Sequence, residues 1–292
     1  MTVVNMLHLG LSYNCNMRCS HCFVNKKMDK LSNNQIKNTI DYMIEQGLYM
    51  VVFTFGEPLL AKNFCDISNY LYDKGIFQVV MSNGSYINEK LITILKRNVS
   101  RVFISIDSAV PQKHDNNRNY KNAFANAFDT INKLQKNKIN VGLAVTINNS
   151  NLEELNDIVE LAKKHNIKNI SFLRQRDNDK IFKLNSYKFY SKFYCDYLEG
   201  KIAEDMNIMF HDPTLRIFTK KLYDENKITK DKYNKYMEMN SCNIKNTLSL
   251  APNGDILLCN LTNKKIGNIC DDSIDEIMKK RGDSDECFIC CS

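Results

Sequence analysis

Three cysteines close to the amino end of the chain are spaced for a particular kind of chemistry. Cys15, Cys19 and Cys22 form a Cys-x3-Cys-x2-Cys motif. Iron–sulfur clusters are held by cysteine thiolates and usually take four of them. A compact set of three predicts a [4Fe–4S] cube whose fourth iron is left open to bind another molecule. An open iron next to a substrate indicates an enzyme rather than a store of electrons.

Zinc is the other metal that suits this motif, with a fourth ligand supplied from a distant part of the chain. Disulfide bonds are a poor explanation of the cysteines. The chain has 11 of them, an odd number, and all but Cys65 and Cys195 are grouped towards its two ends. We find no signal peptide at the amino end and therefore expect a cytoplasmic location, where thiols stay reduced.

The elements that must position the motif alternate in type along the chain. Short apolar runs predict strands, and longer amphipathic patterns between them predict helices. The predicted strands are 6–12, 50–54, 77–82, 101–107, 140–147 and 169–173. The predicted helices are 33–46, 63–74, 88–97, 122–136 and 152–165. This alternation predicts an α/β fold with a parallel sheet, either open or curved into a partial barrel.

Polar motifs lie at the ends of several of the predicted strands or directly after them. They are the cysteine motif, Gly56-Glu57-Pro58, Ser82-Asn83-Gly84, and Ser105 with Asp107. Loops after parallel strands meet at one rim of such a sheet, which is where barrel enzymes carry their sites. The sequence therefore predicts four chemically useful loops at one rim.

This ordered set resembles the radical S-adenosylmethionine (SAM) enzymes. The segment from Lys113 to Arg118, followed by Phe124, also resembles that family's peptide-modifying branch, and the likeness spans about residues 5–175. It implies a partial (β/α)6 barrel similar to a TIM barrel. It also implies that the amino and carboxylate groups of SAM chelate the open iron. One electron then cleaves SAM to a 5′-deoxyadenosyl radical, which removes a hydrogen atom from the substrate.

The resemblance also implies roles for individual residues. Gly56 and Glu57, with Pro58, would receive the amino group of SAM. Ser105 and Asp107 would lie near its ribose, and Arg118 near its carboxylate or that of the substrate. The cofactor-binding residues implied are Gly56, Glu57, Pro58, Ser82, Asn83, Ser105, Asp107, Arg118 and, near the adenine, His21.

The chain departs from the family pattern at two of these loops. The family usually has two glycines before the glutamate, whereas this chain has Phe55-Gly56-Glu57, and a Phe side chain does not enter a tight turn as Gly does. Asp107 precedes Ser108, where Gly is common in the family.

The carboxyl end carries a second resemblance, to the family's short auxiliary-cluster extension, the twitch domain, which is related to the longer SPASM domain. It implies one auxiliary [4Fe–4S] cluster bound by Cys242, Cys259, Cys287 and Cys290, with Cys291 as a competing ligand. A structural zinc site is the alternative for these thiols. Asn253-Gly254 between two apolar runs predicts a β-hairpin in this region.

Three domains are predicted: a radical SAM barrel at 1–180, a helical connecting segment at 181–240 and a twitch domain at 241–292. No run approaches the ~20 apolar residues that cross a bilayer. The net charge of +7 is spread over helical stretches. It is typical of a solvated surface, so neither a membrane nor a nucleic acid is expected as a partner.

Our leading hypothesis is an enzyme that epimerises, crosslinks or oxidises a ribosomally made peptide, with a flavodoxin or ferredoxin as the reducing partner. A radical dehydrogenase or epimerase acting on a small molecule, such as a sugar or an aminocyclitol, is the alternative. A non-catalytic zinc-binding interaction protein is the alternative of another class. The candidate hydrogen-atom donors are Cys195, Cys270 and Cys291.

Overall fold

The computed structural model describes residues 4–22, 24, 27–177, 180–181, 183–240, 246–259 and 264–282. Of the residues predicted as ligands or donors, Cys242, Cys287, Cys290 and Cys291 lie outside this part of the chain. Within it, every helix is too short or too polar to span a lipid bilayer.

Ten strands form one sheet in the order β12-β11-β10-β1-β2-β3-β4-β5-β6-β9, and β7 and β8 form a separate pair. The strands are β1 Met6–Gly10, β2 Met50–Thr54, β3 Phe77–Ser82, β4 Arg101–Ser105, β5 Val141–Ile147, β6 Asn169–Arg174, β7 Arg176–Asp177, β8 Lys180–Ile181, β9 Asn207–His211, β10 Thr247–Leu250, β11 Asp255–Leu257 and β12 Lys265–Asn268.

Helices connect most of the parallel strands. They are α1 Asn33–Glu45, α2 Phe64–Asp73, α3 Glu89–Asn98, α4 Pro111–Arg118, α5 Ala123–Lys136, α6 Leu155–Lys164, α7 Tyr187–Leu198, α8 Arg216–Asp224, α9 Lys230–Met239 and α10 Ile274–Gly282. Single 3-10 turns occupy Pro58–Leu60 and Pro213–Leu215.

Helix α1 illustrates how the sequence specifies these elements. Ser32 and Gln35 form a capping box, in which each side chain satisfies a backbone N–H at the start of the helix. Ile36, Ile40 and Met43 then recur on one face and are fully buried. That face packs in the main core with alternate residues of the sheet, so the helix is held by both its start signal and its apolar stripe.

The strands from β1 to β6, and then β9, are parallel, which confirms the predicted α/β class. The bounds of β2 and β3 are those predicted. The predicted hairpin is also present, because β10 and β11 are antiparallel and joined through Asn253 and Gly254. These parallel strands place their following loops at one rim of the sheet.

Three features differ from the sequence-based expectation. Strand β9 lies within a stretch predicted to be entirely helical, and it extends the sheet beyond β6. Helix α4 was not predicted as a helix. Strand β10 pairs in parallel with β1, so the carboxyl-terminal hairpin continues the main sheet on its first edge.

Candidate functional site

The loop after β1 carries the three cysteines as free thiols. Cys15 and Cys19 are half-buried, and Cys22 is exposed. The loop is tied to the end of α4: Ser20 donates its backbone N–H to the carbonyl of Asn117 at 2.9 Å. A backbone contact of 3.3 Å from Arg18 to Arg118 lies beside it. Helix α4 therefore fixes the position of the cysteine loop.

Two side-chain donors point at the sulfur atoms of this loop. Nδ2 of Asn83 lies 3.7 Å from Sγ of Cys15, and Nη1 of Arg118 lies 3.7 Å from Sγ of Cys19. Burial raises the pKa of the Cys19 thiol, while the neighbouring Arg118 guanidinium opposes that rise. Donors of this kind stabilise negative charge on sulfur, so the surroundings of the thiols fit an iron–sulfur cluster.

The spacing of the thiols bears on the same question. Across the described residues, no three His, Cys, Asp or Glu side chains lie close enough together to hold one metal ion. A [4Fe–4S] cube takes one thiolate per iron, so its ligands stand further apart than those of a single ion. Three free thiols on one loop are compatible with that requirement.

Glu57 lies in the loop after β2 and is buried. Its Oε1 accepts from the hydroxyl of Ser82 at 2.9 Å and from the N–H of Leu59 at 3.1 Å, and its Oε2 accepts from the N–H of Asn83 at 2.7 Å. Burial raises the pKa of the Glu57 carboxyl, and these donors oppose that rise. Pro58 follows as the first residue of the 3-10 turn. The loops after β2 and β3 thus meet at one carboxylate.

The turn before Glu57 has an unusual backbone. Phe55 has a φ of 60° and Gly56 a φ of 48°, both in the left-handed region. A Cβ on Gly56 would lie 2.5 Å from the carbonyl oxygens of Ser12 and Asn14. Glycine is required here because the backbone passes directly over the cysteine loop.

Asp107 forms a buried charged centre after β4. Its Oδ2 lies 2.7 Å from Nη2 of Arg118 and 3.6 Å from Nε2 of His21. Burial disfavours the carboxylate, but Arg118, His21, His114 and the N–H of Thr146 together outweigh burial and hold the pKa of Asp107 below its ordinary value. Burial also lowers the pKa of His21, so this imidazole is neutral near pH 7. Ser105 ends β4 two residues earlier and is half-buried.

Sequence reasoning missed the residues that position Asp107. Nδ1 of His114 accepts the backbone N–H of Asp107 at 3.2 Å, and burial lowers the pKa of His114 to about 4. The N–H of Thr146 donates to Asp107 Oδ1 at 3.1 Å, and Nδ2 of Asn151 donates to the carbonyl of Asp107 at 2.8 Å. His114 lies inside the segment that carried the family resemblance. The resemblance therefore drew attention to this segment, but it did not predict the hydrogen bond between His114 and Asp107.

The inner face of the sheet carries further polar groups that the sequence did not reveal. Leu7 and Leu9 of β1 pack under the helices, so His8 points to the opposite face. His8 and Ser249 are neighbours in the β1–β10 register. Among the described residues, neither Nδ1 of His8 nor Oγ of Ser249 has a hydrogen-bond partner. Burial, with His211 nearby, lowers the pKa of His8 to about 4.

Two of the candidate hydrogen-atom donors are described, and both lie on other elements. Cys195 is on α7, partly buried against the core, and burial raises its pKa. Cys270 follows β12 and is exposed, with its Sγ 3.8 Å from Nε2 of Gln35 at the start of α1. Cys259, a predicted auxiliary ligand, follows β11 and is half-buried. The cysteine motif, Glu57 and Asp107 lie instead on the loops after β1, β2 and β4.

The model of the Radical SAM superfamily matches residues 10–162. The chain is 30% identical over 168 residues to Fe-coproporphyrin III synthase of Methanosarcina barkeri, covering 56% of this chain and 42% of that protein. It is 28% identical over 167 residues to the antilisterial bacteriocin subtilosin biosynthesis protein AlbA of Bacillus subtilis, covering 56% and 37%. The matches thus span less than half of those relatives.

Among solved structures, the chain is similar to Streptococcus suis SuiB bound to the precursor peptide SuiA. The TM-score is 0.75 at 15% identity, and the match covers 95% of this chain and 65% of that one. At that identity the likeness concerns the fold.

Proposed function

The chain belongs to the radical SAM superfamily, and we propose that it is an enzyme that modifies a ribosomally made peptide. In the proposed reaction a substrate C–H bond loses its hydrogen atom, and the outcome is epimerisation, crosslinking or oxidation. When bound, a [4Fe–4S] cluster and SAM supply the 5′-deoxyadenosyl radical for that step. A flavodoxin or a ferredoxin is the proposed source of the electron.

One observation carries the proposal: the loops after β1, β2, β3 and β4 converge on the cysteine motif. Asn83 and Arg118 point at the sulfur atoms of Cys15 and Cys19, and Asn83 also donates to Glu57. Cys15, Cys19 and Cys22 are the proposed cluster ligands. Glu57 is the proposed acceptor for the SAM amino group, because its buried carboxylate is already held in place by three donors.

The remaining roles concern the rest of the SAM molecule. Asp107 and Ser105 are proposed to lie near its ribose, and His21 near its adenine. Arg118 is proposed to bind the carboxylate of SAM or that of the substrate. Its ion pair with Asp107 holds the guanidinium in position for this contact. A fixed charge of this kind orients an anionic group without a cost of reorganisation during the reaction.

The peptide substrate is supported by the similarity to AlbA, whose name assigns it to bacteriocin biosynthesis. The fold shared with SuiB, solved with its precursor peptide, supports the same substrate class. A small-molecule substrate is the second candidate. It is favoured by the similarity to Fe-coproporphyrin III synthase, which is of comparable extent.

An auxiliary [4Fe–4S] cluster held by Cys242, Cys259, Cys287 and Cys290 completes the proposal. Of these four proposed ligands, Cys259 lies in the part of the chain that the structure describes, two residues after β11. Two cubes require about eight irons per chain and one requires about four. Replacing Cys259 with Ala is expected to lower the iron content of the reconstituted protein towards about four.

The first experiment tests the radical SAM activity. The protein is reconstituted anaerobically with iron and sulfide, reduced with dithionite in the presence of SAM, and assayed for 5′-deoxyadenosine. Cys15→Ala should abolish the product. Cys65→Ala is the matched control, because Cys65 lies on α2 against the core, and it should retain the product. A wild-type protein that binds zinc, remains colourless and releases no 5′-deoxyadenosine would contradict the proposal.

The second experiment tests the substrate. Peptides encoded next to the gene are incubated with the active enzyme, and their masses and deuterium uptake from D2O are measured. Modification of such a peptide supports the assignment. Turnover of a porphyrin or a sugar, with every such peptide left unchanged, would establish the second candidate. Replacing Cys195, Cys270 and Cys291 in turn then tests each as hydrogen-atom donor.

A further inference from the structure

Phe55 occupies a backbone conformation that side chains rarely adopt. Its φ of 60° lies in the left-handed region, where a residue other than Gly, Asn or Asp is uncommon. Such a conformation persists only where the surroundings over-determine it. The surroundings of Phe55 are therefore informative.

The Phe55 ring belongs to a small apolar cluster separate from the main core. The buried members of this cluster are Tyr13, Phe55, Ala251 and Leu257, and Val24 packs against them. The rings of Tyr13 and Phe55 meet edge to face, with centroids 6.2 Å apart. The cluster therefore joins the cysteine loop, the turn before Glu57 and the β10–β11 hairpin.

Gly10 at the end of β1 makes room for this contact. A Cβ at Gly10 would lie 2.8 Å from Cδ2 of Phe55 and 2.6 Å from Cδ of Pro252. Phe55 and Pro252 thus approach the same glycine, one from the turn after β2 and the other from the hairpin. The unusual Phe is accommodated by the absence of a side chain at Gly10.

Polar contacts hold the hairpin against the cysteine loop on both sides of the cluster. The hydroxyl of Tyr13 donates to Oδ1 of Asn253 at 2.9 Å, and the N–H of Lys30 donates to the carbonyl of Pro252 at 2.9 Å. Nζ of Lys27 lies 2.9 Å from the buried carboxylate of Asp255. The hairpin is thereby fixed in position relative to both flanks of the cysteine motif.

The residues after Phe55 transmit its position to the proposed SAM site. Gly56 is packed on the carbonyls of Ser12 and Asn14, and Glu57 donates its N–H to the carbonyl of Asn14 at 2.8 Å. We propose that Phe55 is a positioning residue that couples the carboxyl-terminal hairpin to the Glu57 turn, so that a docked hairpin sets the affinity for SAM. This inference rests on the proposed function, because it presupposes that Glu57 binds SAM.

The test compares the SAM affinity of variants of Phe55, in the turn after β2, with that of a variant of Leu257, on the hairpin. The proteins are Phe55→Gly, Leu257→Ala, the double variant and the conservative Phe55→Leu, each reconstituted with its clusters. The Kd for SAM is measured by equilibrium dialysis. The change that SAM causes in the electron paramagnetic resonance spectrum of the reduced cluster provides a second readout, which a purely structural role leaves unchanged.

Each of Phe55→Gly and Leu257→Ala should raise the Kd about tenfold. Because both side chains belong to the same small cluster and are proposed to act through it, the double variant should show no further increase in Kd. Phe55→Leu keeps an apolar side chain and should restore most of the affinity. If Phe55→Gly does not fold, Leu257→Ala carries the test alone, since it leaves the Glu57 turn unaltered in sequence.

The coupling is overturned if both single variants bind SAM within about twofold of wild type, or if the double variant multiplies the two single effects. A wild-type protein that fails to bind SAM would instead overturn the proposed function. The two failures are therefore distinguishable in one set of measurements.

Discussion

Replacing Asp107 with Asn tests whether the buried ion pair with Arg118 organises the site. Asp107 is fully buried, and the Arg118 side chain is only 8% exposed. The Asn side chain keeps an oxygen for the N–H of Thr146 but leaves the guanidinium without a counter-charge. Breaking a buried pair in this way costs about 3–5 kcal/mol, a large share of the roughly 5–15 kcal/mol that stabilises a typical domain.

The assay is urea unfolding of the apoprotein under anaerobic reducing conditions, followed by circular dichroism. Asp129→Asn is the matched control, because Asp129 pairs with Lys133 at 2.7 Å on an exposed surface. Its cost should stay below about 1 kcal/mol. The double variant Asp107→Asn/Arg118→Met removes the orphaned charge and should recover part of the lost stability.

Two results would refute this reasoning. One is a loss for Asp107→Asn no greater than that of the exposed control. The other is a double variant whose loss of unfolding free energy equals the sum of the losses of Asp107→Asn and Arg118→Met measured singly. Independent contributions of this kind would mean that the two charges do not stabilise each other.

Three further predictions concern neighbouring residues. Gly56→Ala should cost about 3 kcal/mol or more, because its Cβ meets two carbonyl oxygens, whereas Gly75→Ala, with a φ of 73° and open space, should cost only about 1–2 kcal/mol in the same urea assay. Folding lowers the pKa of His114 from 6.5 to about 4. The neutral imidazole therefore contributes fully to the free energy of unfolding above pH 6.5, and this contribution is lost as the pH drops towards 4. This amounts to about 3 kcal/mol, and His114→Gln should flatten the measured pH dependence of unfolding over that interval. Glu57→Gln places an amide group against the N–H and O–H donors of its neighbours and should raise the Kd for SAM about tenfold in equilibrium dialysis; unchanged affinity would contradict the role of Glu57.

The parallel strands β2 and β3 were predictable from their short apolar runs. Four of the five residues of β2 are apolar, and β3 has Val79, Val80 and Met81 at its centre and begins two residues after Gly75, so pattern alone located them. The sequence around β9 is rich in aromatic residues and lysines. Within the strand itself, Ile208 and Phe210 are the only fully buried side chains. Two buried positions do not distinguish a strand from a helix in the sequence. The segment is a strand because it pairs with β6.

Helix α4 was missed for a related reason. Its sequence, Pro-Gln-Lys-His-Asp-Asn-Asn-Arg, contains no apolar stripe, so hydrophobic periodicity carries no information about it. The helix buries polar side chains instead, His114 against the backbone of Asp107 and Arg118 against its carboxylate. Contacts of that kind become visible only once the loops after β1 and β4 are in place.

At the site, the sequence located residues that end strands and could not locate the contacts between distant segments. Glu57 and the cysteines follow predicted strands and Asp107 ends one, and the structure brings the loops that carry these residues together. The hydrogen bond from Tyr13 to Asn253 joins residues 240 positions apart, and nothing in either local pattern indicates it. The left-handed backbone of Phe55 is likewise explained by packing against the hairpin, which is distant in sequence.

The parallel pairing of β1 with β10 has a consequence for how the chain folds during synthesis. Residues 6–9 pair with residues 247–250, so one edge of the first strand stays open until residues 247–250 have left the ribosome. An unpaired edge strand is a template for aggregation, and contacts this distant in sequence form slowly. Translation that stops before residue 247 would leave the cysteine loop attached to an exposed edge, so chaperone protection of nascent chains should matter more for this protein than for one whose first strand is sealed early.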